Sequence, residues 1–478
     1  GMLFNSLVFL FLFLPLCLLA YYLVPKVLRN AVLLLFSLVF FAWGGVHYTL
    51  LLLVSMAINY FTALGIEWVR SAMRRRVLMV GIVLNLGLLV WFKYAGFLGE
   101  NLNVLLQSSG QDPWQLPTVA LPVGISFYTF HGLSYITDVY RRSTPIQRNP
   151  VDMALYISLF PQLIAGPIIR YNQIAEQLGN RSFNYAKVVA GLERFIIGLA
   201  KKVLISNNLA LAADTLWGVQ FGDMSQSTAW LAVLCYTLQI YTDFSAYSDM
   251  AIGLAALFGF TFPENFNLPY TARNMKEFWA RWHISLSTWF RDYVYIPLGG
   301  NRGGVWQTYR NLFAVFLLTG FWHGASWNFV FWGLFHGVFL TIERIWPIRG
   351  ERPWSRMLAH LYTALVFTMS WVPFRAENLS DTWAMYQRLF DFSAFTAHKY
   401  NDYIQASLLN RELLLVLLVA ILGAAGVWRW LGKRMDALSG LPARLWDVVC
   451  LGFLVGVFWL CCMQIVAGSY SPFIYFRF

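Results

Sequence analysis

Apolar residues fill long uninterrupted runs in this chain, and polar residues gather in the short gaps between them. Runs near residues 7–24, 31–45, 48–66, 77–98 and 117–137 come close to the roughly 20 residues that an α-helix needs to cross a hydrocarbon layer. Further runs follow at 357–374, 412–431 and 445–467, with a long mixed loop expected over 375–411. No period-2 alternation of barrel strands is visible, and backbone groups in lipid must bond within their own segment, so the pattern predicts helices. The expected fold class is all-α: a polytopic membrane protein of about 10–12 transmembrane helices with added interfacial or re-entrant helices, in one domain over 1–478. The first run lacks a small-residue cleavage site and is read as a retained helix, not a signal peptide.

Composition supports this reading, since 58% apolar and only 12% charged residues exceed what a soluble globular chain carries. A net charge of +12 would suit nucleic acid, but the cations are dispersed between spans, so no nucleic-acid partner is expected. They alternate instead: Lys26 and Arg29 after the first span, none around 44–48, four within 70–76, none from 100 to 117, three within 141–148. The positive-inside rule then places the N-terminus outside, and the same count near the far end places the C-terminus outside. The five cysteines sit in apolar surroundings without ligand spacing, so neither a disulfide framework nor a metal site is expected.

Residues 276–304, KEFWARWHISLSTWFRDYVYIPLGGNRGG, carry Phe278, Trp282, Ser285, Trp289 and Tyr293 at spacings of three or four, with Arg281, Thr288 and Arg291 opposite. That pattern predicts a helix lying at or slanting through the membrane interface, with His283 inside it. Earlier, YTDFSAYSDMAIG (241–253) places Asp243 and Asp249 in an apolar stretch. On a helix the two carboxylates point in different directions and cannot form an acid/base dyad. They are expected to line a cavity or serve structure, bonded to Ser245, Ser248 or backbone.

LLTGFWHGASWNFVFWGLFHGVFLTIERI (317–345) holds two histidines in an almost wholly apolar run. His336 fits a satisfied core histidine. His323 is flanked by Gly320–Phe321–Trp322 and Gly324–Ala325–Ser326, and small residues on both sides leave room for a ligand or a close backbone approach. If the helix is continuous, the two rings face opposite ways and do not share a metal. Imidazole titrates near neutral pH, so a base here could deprotonate a hydroxyl as it attacks a thioester. No GxSxG elbow, Walker A loop or Rossmann fingerprint offers another chemistry.

These residues resemble the membrane-bound O-acyltransferase family. LPVGISFYTFHGLSYITDVYR (121–141), FPQLIAGPIIRY (160–171), DFSAYSDMAIG (243–253), FPENFNLPY (262–270), FWARWHISLSTWFRDYVYIPLGGNR (278–302), FWHGASWNFVFWGLFHG (321–337) and YSPFIYFRF (470–478) carry the resemblance in order. It implies a helix bundle around a tunnel, with His323 as catalytic histidine and His283 as second signature histidine. Asp243, Ser245, Asp249, Asn265, Arg281, Ser285, Trp322, Ser326 and His336 are implied as substrate-binding or tunnel-lining residues. It implies no bound cofactor, acetyl-coenzyme A or an acyl carrier as cytoplasmic donor, and a periplasmic or extracellular partner protein with an exported polysaccharide as acceptor. The implied location is the bacterial inner membrane. Cations such as Arg141 and Arg142 could attract the acidic donor. The rival readings are an acyl-group or lipid transporter, for which no inverted repeat is visible, and a non-catalytic scaffold for acetylation enzymes.

Overall fold

The computed structural model of the chain describes residues 2–394 and 407–474. Among them every regular element is helical: α1 (Phe9–Leu23), α2 (Arg29–Ala42), α3 (Val46–Trp68), α4 (Ser71–Ser108), α5 (Ile125–Tyr140), α6 (Pro150–Ser158), α7 (Tyr171–Gly179), α8 (Tyr185–Ala200), α9 (Asn207–Trp217) and α10 (Gln226–Leu257). The order continues with α11 (Met275–Arg281), α12 (Ile284–Phe290), α13 (Val305–His323), α14 (Trp327–Ile345), α15 (Pro353–Arg375), α16 (Leu379–Leu389), α17 (Arg411–Ala424), α18 (Val427–Asp436) and α19 (Leu441–Val466).

The expected spans survive with shifted edges. Pro117, Pro122 and a left-handed Gly124 (φ +79°) keep 117–124 out of the helix, so that span begins at Ile125. Left-handed Gly426 (φ +82°) divides the 412–431 run, and α17 and α18 meet at 64°. The expected 375–411 loop contains α16, and its residues 395–406 lie outside the described ones, as do 475–478 of the last motif. By length and composition four helices can cross a membrane, α3, α4, α15 and α19, or five if α17 and α18 count as one broken span. That is fewer than the 10–12 crossings expected from charge alternation. Among the other helices α10, α13 and α14 have the length but bury polar residues such as Asp243, Asn311 and His336 along it, and the rest are shorter.

The chain divides into two compact units, residues 1–192 with 251–263, and 193–250 with 264–478. In the first, Asn59 of α3 and Asn85 of α4 exchange amide hydrogen bonds of 3.2 and 2.9 Å, satisfying polar groups that neither helix could leave bare in lipid. In the same unit Phe4, Phe9, Phe13, Phe40 and Phe160 pack ring against ring. His131, in the first quoted motif, is buried and accepts the Ile169 N–H at Nε2 (3.3 Å), a structural use of the ring.

The second unit is organised around the α13–α14 hairpin. Its axes approach so closely that a Cβ on Gly320 would collide with the Phe329 carbonyl, and one on Gly333 with the Phe316 carbonyl. Backbone contact of this kind is what small residues permit between membrane helices.

Candidate active site

His323 is the last residue of α13, and the turn Gly324–Ala325–Ser326 separates it from Trp327, where α14 begins. The continuous helix considered for this stretch is therefore absent, and the opposite-face argument for His323 and His336 falls with it. Both rings pack against Trp332, His323 at 4.9 Å and His336 at 4.8 Å between centroids. His323 is 4% exposed, with Phe374 (5.4 Å) and Trp322 (5.0 Å) on other sides.

His323 Nδ1 lies 2.7 Å from the Thr319 carbonyl oxygen. A carbonyl only accepts, so Nδ1 carries the proton and Nε2 holds the lone pair. The helix supplies a second effect, because its C-terminal carbonyls favour positive charge, and an imidazolium forming at this position sits against them.

His283 reaches the same place from another element. The predicted helix over 276–304 breaks here: α11 ends at Arg281, Trp282 is extended, and His283 adopts φ +44°, ψ +56° before α12 begins. Left-handed backbone costs a non-glycine residue about 1–2 kcal/mol, so the surroundings must hold it. They do so through the FPENFN loop. Asn265, fully buried, takes the Ile284 N–H on its own carbonyl (2.9 Å), and its Oδ1 takes the Ser285 N–H (3.0 Å) and hydroxyl (2.8 Å). Asn267 N–H donates to the Arg281 carbonyl (2.9 Å), and the Arg281 guanidinium returns a bond to the Asn267 carbonyl (2.8 Å) while pairing with Glu277 (3.2 Å). The break is thus clamped group by group.

The break also corrects the interfacial reading, since Phe278, Trp282 and Trp289 are all buried within the protein. It turns the His283 ring toward Phe244 (4.6 Å), Trp322 (5.9 Å) and His323 (6.3 Å). Neither ring nitrogen of His283 has a hydrogen-bond partner among the described residues, although the residue is 1% exposed. His336 accepts from Trp279 Nε1–H at Nδ1 (3.3 Å), which puts its own proton on Nε2, where no partner is described. Trp332 Nε1 is likewise without one. The cluster thus gathers polar atoms that can still donate or accept a hydrogen bond among otherwise apolar rings.

The remaining expected residues scatter. Asp243 is fully buried against Lys202 (3.3 Å) and accepts the Ile474 N–H (3.1 Å), while Asp249 pairs with Arg194 (2.8 Å) and Lys201 (2.7 Å). Cations, in place of the expected Ser245 and Ser248, are thus their main partners, and only the Ile474 bond matches the backbone expectation. Ser248 bonds Asn265 Nδ2 (3.3 Å), the Ser245 hydroxyl is buried without a described partner, and Ser326 is half-buried ahead of α14. Arg141 and Arg142 are exposed at the end of α5, in the other unit.

Sequence reasoning missed Glu343, buried on α14, which accepts the backbone N–H groups of Met275 (2.6 Å) and Lys276 (3.1 Å) and so anchors α11. Its signal was available: it is the first charged residue of the 317–345 run. Lys202 was missed as well, inside the apolar GLAKKVLI.

A family model for membrane-bound O-acyltransferases matches residues 140–380. A probable alginate O-acetylase of Azotobacter vinelandii is 42% identical over 100% of both chains. The chain belongs to the membrane-bound O-acyltransferase family. Among other relatives of this O-acyltransferase, a probable alginate O-acetylase of Pseudomonas aeruginosa is 46% identical, covering 84% of this chain and 77% of its own. A peptidoglycan O-acetyltransferase of Helicobacter pylori is 39% identical over 79% and 78%. The family expected from the motifs is borne out, and with it an enzymatic, membrane-embedded reading; the relatives give the transporter reading no support.

Proposed function

We propose that this acyltransferase moves an acetyl group from a cytoplasmic thioester, acetyl-coenzyme A as first choice, toward an exported polysaccharide or a partner protein that passes it on. Alginate is the first choice of polymer, from the likeness to probable alginate O-acetylases, and cellulose or peptidoglycan the variants. The enzyme would work in the bacterial inner membrane with both termini outside, the orientation that the charge alternation favours.

The observation that carries the reading is the pairing of His323, oriented by the Thr319 carbonyl, with His283, whose ring nitrogens are open. In the reaction His323 Nε2 takes the acceptor hydroxyl's proton as its oxygen bonds to the thioester carbonyl carbon. The tetrahedral centre then collapses, the C–S bond breaks, and the proton passes from the imidazolium to the departing thiolate. His283 Nε2 or Nδ1 and the Trp332 and His336 N–H groups are the polar atoms at hand to hold the carbonyl oxygen or the incoming hydroxyl. Because His323 is so buried, the reading requires the acyl arm to enter between the aromatic rings.

The test uses the purified full chain with labelled acetyl-coenzyme A and a polysaccharide or partner acceptor. His323→Ala should lower thioester cleavage and transfer at least about 100-fold, the low end for a general base, with an unchanged gel-filtration profile. Full activity in that variant would falsify the assignment.

A further inference from the structure

The α18 helix differs from its neighbours in having no buried residue at all. It lies between two helices of the second unit with strongly apolar sequences: α17, from which it departs at 64°, and α19, whose apolar window is only 6% buried. At about 100° per residue, Val427, Trp428, Leu431 and Met435 fall on one face, while Arg429 and Lys433 share the opposite one. Trp428 and Trp430 are 50% and 57% exposed, and the Arg434 guanidinium stacks over the Trp430 ring at 4.8 Å. None of Arg429, Lys433 and Arg434 makes an ion pair among the described residues. Arg429 is held instead by the side-chain oxygen of Asn267 (2.7 Å), in the loop that clamps the break at His283.

We propose that α18 lies in the headgroup layer of the membrane and binds anionic phospholipid through Arg429, Lys433 and Arg434. Three unneutralised cations, an amphipathic face and two outward tryptophans on a helix set off-axis beside an apolar span are the features of an in-plane lipid-binding helix. An acidic protein would answer the charges, but not two exposed indoles flanked by helices whose outer faces are apolar. The lipid phosphate bonds to guanidinium and ammonium groups in place of water, and the apolar face enters the acyl boundary.

The full chain, purified with native lipid and examined by native mass spectrometry, should retain phosphatidylglycerol in preference to phosphatidylcholine. The variant R429Q/K433Q/R434Q should lose that preference severalfold, while R429K/R434K keeps it. A control, R75Q/R76Q, removes cations from α4 and should leave it unchanged. An undiminished preference in the three-glutamine variant overturns the proposal, and so does an equal loss in the control, which would make the effect one of net charge. Retained lipid preference with lost binding of an acidic carrier protein would assign the helix to that protein and overturn it too.

Discussion

His323 is oriented through a main-chain oxygen, so the identity of residue 319 matters little for catalysis as long as the helix persists. The Thr319 hydroxyl bonds elsewhere, to the Val315 carbonyl at 2.7 Å. Thr319→Ala is therefore expected to keep transfer within about threefold of the parent, since the lost bond is a helix back-bond of little net worth; initial-rate measurement checks it. His283→Phe removes the ring nitrogens and keeps an aromatic ring of larger volume, and should cost about 10- to 100-fold in kcat and about 1–3 kcal/mol in stability, read from initial rates and thermal unfolding. His323 and His283 were legible from the residues around them and from the motifs that contain them. The rings around each were not, because Trp332, against His323, lies nine residues further on and Phe244, against His283, far earlier in the chain, and only packing brings them there. Continuous-helix geometry does not apply to His336, since the small residues that give His323 space also end its helix.

Helix and strand type were the easiest features to read, and the breaks were the hardest. Aromatic residues at 278, 282 and 289 keep a helical spacing through the interruption at His283, so periodicity alone reads one helix where there are two. What holds the interruption is a distant loop. Asn265→Ala leaves the Ser285 N–H and hydroxyl without their shared acceptor and should destabilise the protein by about 2–4 kcal/mol, measured by thermal unfolding in detergent. Activity should fall further than stability predicts, and Asn265→Asp, which keeps the acceptor, should restore part of both. In the hairpin, Gly320→Val places a branched side chain against the Phe329 carbonyl and should fail to yield folded protein, while Leu318→Val on the exposed side is tolerated.

Across the molecule, the apolar runs foretold an all-helical membrane protein, and the spans at 46–68, 353–375 and 441–466 sit nearly where the runs do. Length and composition single out four or five helices able to cross, whereas charge alternation counts crossings without revealing which helices are shortened, bent or lined with polar groups facing protein. Lys202 and Asp243 illustrate the last case. Both are fully buried, the ammonium bonds the Pro472 carbonyl and sits 4.0 Å from the centre of the Phe473 ring, and the carboxylate takes the Ile474 N–H. Lys202→Met strands the carboxylate and should cost about 3–5 kcal/mol, whereas K202M/D243L should recover much of the loss; paired melting curves decide it. The pair also bears on biogenesis. Lys202 leaves the ribosome well before Asp243, and an unpaired lysine opposes entry into lipid by about 2.5–3.5 kcal/mol. Insertion of the segment that carries it is therefore expected to depend on α10, which brings the neutralising carboxylate.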